Sequence, residues 1–231
     1  MENFDAERYR RNLLVDGFSE AGQRKLQDGR VVVVGAGGLG SAALGYLAAA
    51  GVGYLRIVEN DTVSLSNLQR QILYTTPDLG QSKAEVAAMR LSRLNPGCRI
   101  EIDDRRLASG NAAELLSGCG VVVDCTDNYA ARYAIDDYCA DAGVPMVYGT
   151  AEQFGGQVSV FHAAGAAGYR QLYPEGPAQK EVVGVLSPVV GVIGSLQALE
   201  TVKLLCGTGR TLAGRLLVFD GRTMQISVFE I

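Results

Sequence analysis

The chain has few of the residues that build metal centres and disulfide frameworks. Its 231 residues include a single histidine, His162, and five cysteines, no two of which form a C-x-x-C pair. One histidine excludes a metal site built from several histidines, and the lack of a C-x-x-C pair argues against a zinc knuckle. An odd number of cysteines also argues against a complete disulfide framework. We therefore expect free cysteines in a reducing compartment.

An excess of positive charge is also absent. Lys and Arg number 21 against 25 Asp and Glu, which gives a formal net charge of −4. A protein that binds nucleic acid through its phosphates needs a basic surface, so we expect no nucleic-acid partner. Residues 1–7 contain neither a basic stretch nor an apolar stretch. This predicts that no secretory signal is present and that the protein is cytoplasmic.

Long hydrophobic runs are scarce. The longest stretch without a charged residue lies between Glu181 and Glu200, and Pro188, three glycines and several polar side chains interrupt it. We expect a buried helix over residues 188–205 and no membrane span. With 48% apolar and 20% charged residues, the composition is that of a folded chain and excludes disorder.

Apolar runs that are typical of buried strands alternate with segments of helical pattern. The predicted strands are residues 31–34, 54–58, 99–102, 120–124, 144–148, 157–162, 215–219 and 225–230, and the predicted helices are residues 39–50, 81–94, 111–116, 129–142 and 188–205. This alternation predicts an α/β fold, a Rossmann-like and mostly parallel sheet with helices on both faces. The late strands, which include a hairpin, extend it with antiparallel C-terminal strands.

No internal repeat or linker divides the sequence. We therefore predict a single domain over residues 1–231. Within it we expect an N-terminal helical segment (1–28), a nucleotide-binding core (29–150) and a β-rich half (151–231) that contains a loop at residues 163–185.

Residues 35–40 form a G-x-G-x-x-G motif directly after one predicted strand and at the start of a helix. Gly35 permits a tight turn, Gly37 lets the backbone approach a phosphate, and Gly40 lets the helix pack close to the strand. The helix N-terminus adds N–H donors and a partial positive charge. Glu59 stands at the end of the second strand, where an acid binds a ribose. By itself the motif leaves a dinucleotide and a nucleoside triphosphate both open.

Three charged residues favour the triphosphate. Arg70 follows the second strand and can pair with phosphate oxygens, and Lys83 on the next helix adds a second cation. Asp127 lies just past the third buried strand, where it can hold Mg²⁺ or its waters. All three follow the carboxyl ends of parallel strands, where open α/β sheets bind their ligands.

Seven segments, in order along nearly the whole chain, carry a family resemblance. They are residues 8–11 (RYRR), 35–40 (GAGGLG), 61–71 (DTVSLSNLQRQ), 80–83 (GQSK), 124–128 (DCTDN), 155–157 (GGQ) and 191–198 (GVIGSLQA). With them the chain resembles the bacterial MoeB/ThiF/HesA group of adenylyltransferases, within the ubiquitin-activating-enzyme superfamily.

The resemblance implies an activity that uses ATP and Mg²⁺. These enzymes adenylate the C-terminal glycine of a small ubiquitin-like sulfur carrier protein with a Gly-Gly tail, and a sulfur donor then forms a thiocarboxylate. The β-rich half would bind the carrier. The nucleotide-binding residues that it implies are Gly35, Gly37, Gly38, Gly40, Glu59, Asp61, Asn67, Arg70, Lys83, Asp127 and Asn128.

Within that set the resemblance assigns the catalytic roles. Arg70 and Lys83 would neutralise the triphosphate, and Asp127 would hold the Mg²⁺. The family acts as homodimers in which one subunit inserts an arginine into the other's ATP site. Arg11 is the expected arginine in trans, with its neighbour Arg10 as the alternative.

The chain departs from the family pattern at two places. Many members hold a structural zinc with two C-x-x-C pairs; residues 168–171 lack the first pair, and the second would lie beyond Ile231. We therefore expect no zinc site. Residues 173–186 also lack the cysteine that the family's mobile loop often carries. The prediction is adenylation without covalent handling of the carrier, with sulfur supplied by a separate persulfide protein.

The five cysteines then need other roles. Cys119, Cys139 and Cys206 lie in or beside apolar segments and are predicted to be small core residues. Cys98 follows a Pro-Gly turn and is predicted to be exposed, while Cys125 borders the proposed ATP site. His162 is expected to be structural or on the surface.

Other functions remain open at this level. One is the related tRNA-modifying dehydratase branch, which also activates a carboxylate with ATP; the net charge of −4 weighs against it. Another is a nucleotide-binding scaffold without turnover. An NAD dehydrogenase would leave Arg70, Lys83 and Asp127 without a role. The pathway, whether thiamine, molybdenum cofactor, cysteine or another, is left undetermined.

Overall fold

The protein is described from a computed structural model that covers residues 5–174, 176 and 183–231. Parts of the predicted N-terminal segment (1–4) and of the predicted loop (175 and 177–182) lie outside the described residues. The helices are α1 (Arg10–Leu13), α2 (Glu20–Asp28), α3 (Gly38–Ala50), α4 (Lys83–Leu94), α5 (Ala112–Leu116), α6 (Tyr129–Ala142), α7 (Tyr169–Leu172) and α8 (Ser187–Cys206). The strands are β1 (Arg30–Val34), β2 (Tyr54–Val58), β3 (Arg99–Asp103), β4 (Val121–Asp124), β5 (Met146–Glu152), β6 (Gly155–Phe161), β7 (Arg215–Asp220) and β8 (Gln225–Glu230).

The described strands form one sheet in the order β3-β2-β1-β4-β5-β6-β7-β8. The first five are parallel, and β6, β7 and β8 continue the sheet antiparallel. The predicted mostly parallel sheet with antiparallel C-terminal strands is confirmed. The strand order reverses between β1 and β4, and this reversal opens a crevice beyond their carboxyl ends.

Alternate valines of β1 enter two separate cores. Val31 and Val33 pack in the cluster that contains α3, α4 and α8, whereas Val32 and Val34 pack in the cluster that contains α5 and α6. Because successive side chains of a strand point to opposite faces, a continuous valine run requires apolar cover on both. The helices on both faces supply it, as the sequence predicts.

Glycines end two of the helices that precede strands. Gly51 ends α3 with φ +97° and Gly143 ends α6 with φ +65°, both in the left-handed region that favours glycine. The starts are capped by side chains: Ser82 accepts from the Glu85 N–H at α4, and Asn128 accepts from the Ala131 N–H at α6. Both helix starts border the crevice, through Lys83 at α4 and Tyr129 at α6.

Helix α8 is a core helix. By length and composition it is the one helix in the described part of the chain that could cross a membrane, and half of its apolar window is buried in the protein. A Cβ added at Gly194 would lie 2.4 Å from the Leu39 carbonyl oxygen, so α8 and α3 approach almost backbone to backbone. The prediction of a buried helix over residues 188–205 is confirmed.

Some details differ from the sequence expectations. The strand predicted at residues 144–148 is β5, Met146–Glu152, because its antiparallel pairing with β6 extends it to Glu152. The predicted loop contains the short helix α7.

The predicted exposure of Cys98 is wrong. Its side chain is buried at 4% exposure, and burial raises the pKa of its thiol to about 12. Cys139 and Cys206 are buried as predicted, while Cys119 is half-buried. All five cysteines are free.

Close packing of α3 on β1 gives a test of the fold. A Cβ added at Gly40 would lie 2.1 Å from the Gly35 carbonyl oxygen, so we expect Gly40→Ala to lower the free energy of unfolding by about 3 kcal/mol. Gly45 lies on the same helix with nothing within 4 Å of such a Cβ. As the matched control, Gly45→Ala should raise stability by about 0.5–1 kcal/mol. Denaturant unfolding measures the stability of both variants. Equal changes in the two would contradict the close packing of α3 on β1.

Candidate active site

A cavity of about 650 Å³ lies at the carboxyl ends of the parallel strands. The glycine turn after β1, the ends of β2, β4 and β5, and the starts of α4 and α6 surround it. It brings together most of the residues predicted from the sequence: Gly35, Gly37, Gly38, Glu59, Asp61, Asn67, Arg70, Lys83, Asp127 and Asn128. Two predicted residues do not line it. Gly40 serves the packing of α3 on β1, and Arg11 is exposed on α1.

The glycine turn brings backbone to the cavity wall. Gly35 has φ +93°, and a Cβ there would lie 2.7 Å from the Cys125 carbonyl oxygen. A Cβ at Gly38 would meet Val190 at 3.0 Å, so that position is also confined. At Gly37 a Cβ would meet only the Gln71 side chain, at 3.4 Å. Since the first N–H groups of a helix have no intrahelical partner, the start of α3 can bind an anion here.

Glu59 and Tyr74 hold this turn in place. The Glu59 carboxylate accepts from the Ala36 N–H at 2.8 Å and from the Asp61 N–H at 2.9 Å. The Tyr74 hydroxyl donates to the Ala36 carbonyl at 2.8 Å. Each Glu59 oxygen accepts one of these bonds and retains a further lone pair. The carboxylate can therefore support the turn and still accept from a ribose hydroxyl.

Lys83 is a buried cation at the cavity wall. Its side chain is 5% exposed, and its Nζ lies 3.0 Å from Oδ2 of Asp61, which is 65% exposed. The Lys83 N–H also donates to the Asp61 carbonyl at 3.0 Å. Asp61 thus holds the first residue of α4 at two points and stabilises the charge of Lys83 when no anion is bound.

Arg70 and Asn67 come from a turn between β2 and α4. The 3₁₀ turn Leu65–Asn67 begins at Ser64, whose N–H donates to Oδ1 of Asn67 at 3.3 Å. Arg70 Nη1 donates to the Ser66 carbonyl at 3.2 Å. The guanidinium has five N–H donors, so several remain for a phosphate.

Asp127 and Asn128 differ in their roles. Asn128 caps α6 through its Oδ1, which receives the Ala131 N–H at 2.9 Å. Asp127 is exposed at the cavity and has no side-chain partner within the described residues. Its carboxylate oxygens are the kind of donor that Mg²⁺ prefers, so they fit a metal bound through one carboxylate and phosphates.

The structure contains a buried ion pair next to the Asp127 loop that the sequence analysis did not predict. Asp124, fully buried at the end of β4, lies 3.4 Å from Arg132 on α6. Arg132 also donates to the Thr126 carbonyl at 2.9 Å and to the Thr150 hydroxyl at 3.2 Å. Burial raises the pKa of the Asp124 carboxyl, and the Arg132 guanidinium opposes that rise. The pair ties the loop before Asp127 to α6 and β5.

Gln197 secures the same strand end from the opposite face. Its side-chain amide on α8 donates to the carbonyls of Asp124 at 2.6 Å and Val147 at 3.3 Å. Its carbonyl accepts from the Cys125 thiol at 3.6 Å. Burial raises the pKa of that thiol well above its usual value. A glutamine inside an apolar helix is the one sequence signal that could have pointed to this contact.

The arrangement is suited to a polyphosphate. A helix N-terminus, Arg70 and Lys83 present positive charge to the cavity, and Asp127 offers a metal ligand. The cavity-lining Gln71 also carries a buried side-chain oxygen that has no hydrogen-bond partner among the described residues. Cys125 lines the same cavity as a buried, protonated thiol, so the described residues offer positioning and charge rather than an activated cysteine.

Comparison with known proteins finds matches along nearly the whole chain. The profile of the ThiF family matches residues 9–231. The adenylyltransferase and sulfurtransferase MOCS3 of Caenorhabditis briggsae is 46% identical over 224 residues, which are 94% of this chain and 56% of that protein. The sulfur carrier protein adenylyltransferase of Thermus thermophilus is 45% identical over 226 residues, which are 94% of this chain and 83% of that protein. The chain spans about half the length of the MOCS3 relatives that it matches.

A solved structure shares the fold. E. coli MccB with ATP matches with a TM-score of 0.87 and 20% identity, over 99% of this chain and 72% of that one. At this identity the likeness concerns the fold alone.

The buried ion pair yields a stability test. Arg132→Ala leaves Asp124 as an uncompensated buried charge, so we expect the free energy of unfolding to fall by about 3–5 kcal/mol. Arg210 forms an exposed pair with Glu230, the two side chains being 75% and 77% exposed. As the control, Arg210→Ala should change stability by less than about 1 kcal/mol. Similar losses in the two variants on denaturant unfolding would contradict the role of Arg132.

Proposed function

This chain belongs to the ThiF family, and we propose that it uses ATP to adenylate the C-terminal glycine carboxylate of a small ubiquitin-like sulfur carrier protein. The proposal rests above all on one observation: the glycine turn, Arg70, Lys83 and Asp127 surround a single cavity at the strand ends. The Thermus thermophilus relative is named a sulfur carrier protein adenylyltransferase, which supports the proposal.

The reaction needs positioning more than covalent help from the protein. An oxygen of the carrier's C-terminal carboxylate attacks the α-phosphorus of ATP while the bond from that phosphorus to the β-phosphate oxygen breaks. The products are the acyl-adenylate and pyrophosphate. Because the nucleophile is already a carboxylate anion, no proton has to be removed. The chain's task is to align the two reactants and neutralise the charge on the departing pyrophosphate.

Each proposed contact follows from the position of a residue in the cavity. Gly37, Gly38 and the start of α3 would bind phosphate through backbone N–H groups. Glu59 would accept from the ribose. Asn67, Arg70 and Lys83 would bind the triphosphate, and Asp61 would hold Lys83 in place. Asp127 would hold Mg²⁺, which supplies further charge neutralisation when bound.

We further propose a homodimer in which Arg11 of one subunit reaches the ATP site of the other, with Arg10 as the alternative. In the described chain neither arginine lines the cavity. Sulfur would reach the adenylate from a separate persulfide protein. We propose a cytoplasmic location, because the five free cysteines fit a reducing compartment.

Removing either cation should separate activity from folding. We expect Arg70→Ala and Lys83→Ala each to lower carrier-dependent exchange between ATP and pyrophosphate on the order of a hundredfold, because each removes charge stabilisation of the transition state. Folding should survive in Lys83→Ala, since the partner Asp61 is 65% exposed and can be hydrated.

The matched control is Arg93→Ala, which removes an exposed cation from the same helix as Lys83. Its exchange rate should equal that of the unaltered chain. Unchanged exchange in the Arg70 and Lys83 variants, with thermal unfolding also unchanged, would contradict the assignment of these residues.

We also propose that the chain holds no structural zinc. Residues 168–171 read Gly-Tyr-Arg-Gln, where the resemblance would place a C-x-x-C pair. Elemental analysis of the purified protein should find zinc well below one atom per chain. A stoichiometric content of about one zinc per chain would contradict the proposal.

A further inference from the structure

The only histidine of the chain belongs to a buried polar cluster outside the cavity. His162 follows β6 with φ +57°, a left-handed conformation that is uncommon for a residue with a Cβ. Its Nε2 lies 2.6 Å from Oδ1 of Asp136, which is buried on α6. The histidine side chain is 15% exposed. Among the described residues that line the cavity, neither His162 nor Asp136 is found.

The Asp136 carboxylate also accepts two backbone N–H groups at the start of α7. Asp136 Oδ1 accepts from the Tyr169 N–H at 2.7 Å, and its Oδ2 accepts from the Arg170 N–H at 3.0 Å. The N–H of Gly168 donates to the side-chain carbonyl of Gln171 at 2.8 Å. We call Asp136, His162, Gly168 and Gln171 the Asp136 clamp. A buried carboxylate with this many donors forms charge-assisted hydrogen bonds, which are stronger than neutral ones.

Gly168 is fitted closely into the clamp. A Cβ there would lie 2.5 Å from the His162 ring and 2.9 Å from Asp136 Oδ1. A cysteine could not occupy this position without moving the histidine or the carboxylate. The hydrogen bonds therefore stand where the resemblance would place the first half of a zinc site.

The clamp anchors a segment that leads toward the cavity. The Tyr169 ring packs 5.0 Å from Tyr173 and 5.2 Å from Tyr148, measured between centroids. The Tyr173 hydroxyl donates to the Gln157 side-chain carbonyl on β6 at 2.8 Å. The backbone carbonyl of Tyr173 accepts from the Tyr133 hydroxyl on α6 at 2.9 Å. Residues 169–173 are thus bound to both α6 and β6.

Past this anchor the chain reaches the cavity wall. A Cβ added at Gly176 would lie 3.1 Å from the ring of Tyr129, which lines the cavity. Val183 and Val185 also line it, and Val185 forms a parallel bridge with Gln153. Gly176 thus lies beside Tyr129 at the cavity wall, and Val183 and Val185 lie at the wall next to β5.

We infer that Asp136 is a positioning residue for the carrier tail, an inference that rests on the proposed function. By fixing residues 168–174 against α6, the clamp positions Gly176 beside Tyr129 at the cavity wall, where an extended tail would enter to reach the α-phosphorus. The glycine turn, Arg70 and Lys83, which would bind the triphosphate, lie at the start of α3, on the turn after β2 and on α4, and none of these elements carries a residue of the clamp. The loop of Asp127 precedes α6, but the Asp124–Arg132 pair and Gln197 hold it rather than the clamp. Loss of the clamp should therefore weaken the binding of the carrier and leave the binding of ATP intact.

The test uses three variants of the full chain. Asp136→Ala removes all of the carboxylate's contacts. His162→Asn is the milder variant, because asparagine tolerates the left-handed backbone but cannot reproduce the imidazole contact. Asp137→Ala is the matched control: Asp137 is the next residue on α6 and pairs with Arg170 at the surface, with its side chain 56% exposed.

Hydrogen exchange read by mass spectrometry tests the clamp itself, without any carrier. We expect faster exchange across residues 168–174 in Asp136→Ala, a smaller increase in His162→Asn, and no change in Asp137→Ala. Equal exchange in Asp136→Ala and the unaltered chain would overturn the clamp.

Steady-state pyrophosphate exchange, with the Gly-Gly-tailed carrier that supports it in the unaltered chain, tests the positioning role. We expect the KM for that carrier to rise about tenfold or more in Asp136→Ala, while the KM for ATP stays unchanged. A carrier KM that does not move, or an ATP KM that rises equally, would overturn the role. Absence of exchange with every carrier in the unaltered chain would instead overturn the proposed function, and the tail-positioning role with it.

Discussion

The close approach of α3 to the end of β1 is the constraint on which the rest of the site depends. The space that a Cβ would need at Gly40 is filled by the Gly35 carbonyl, and this contact aims the helix N-terminus at the point where the strand order reverses. The Glu59 carboxylate and the Tyr74 hydroxyl then fix the turn from two sides. Without that geometry the backbone N–H groups would not face a common cavity, and the charged side chains around it would have no shared ligand.

The charges around the cavity fall into two groups that do different work. Lys83 faces the cavity and is held by an exposed acid, Asp61, so an incoming phosphate can replace or share that partner at small cost in desolvation. Arg132 is held by a buried acid, Asp124, and exchanging that partner would leave a charge unpaired in the interior. The first pair is therefore suited to binding, and the second to keeping the loop before Asp127 in place.

Much of the fold and of the candidate site follows from local sequence patterns. The valine runs predict the buried strands, and the spacing of Gly35, Gly37 and Gly40 predicts the turn, because each depends on a few adjacent residues. The Asp124–Arg132 pair, the Gln197 contacts and the Asp136 clamp were not predicted. Gln197 lies 73 positions from Asp124, and Asp136 lies 26 positions from His162, so those contacts exist only once the chain has folded. Cys98 was mispredicted for a similar reason. Its Pro-Gly turn suggests a surface position, but tertiary packing buries the thiol.

The proposed reaction in this cavity joins AMP to the carboxyl terminus of a carrier protein. The most direct measurement is the intact mass of a Gly-Gly-tailed carrier after incubation with the purified chain, ATP and Mg²⁺, in the absence of a sulfur donor. We expect the carrier to gain the mass of one adenylyl group, and a carrier lacking its last glycine to gain none. A carrier that stays unmodified while the chain still binds ATP would contradict the claim and favour a nucleotide-binding scaffold.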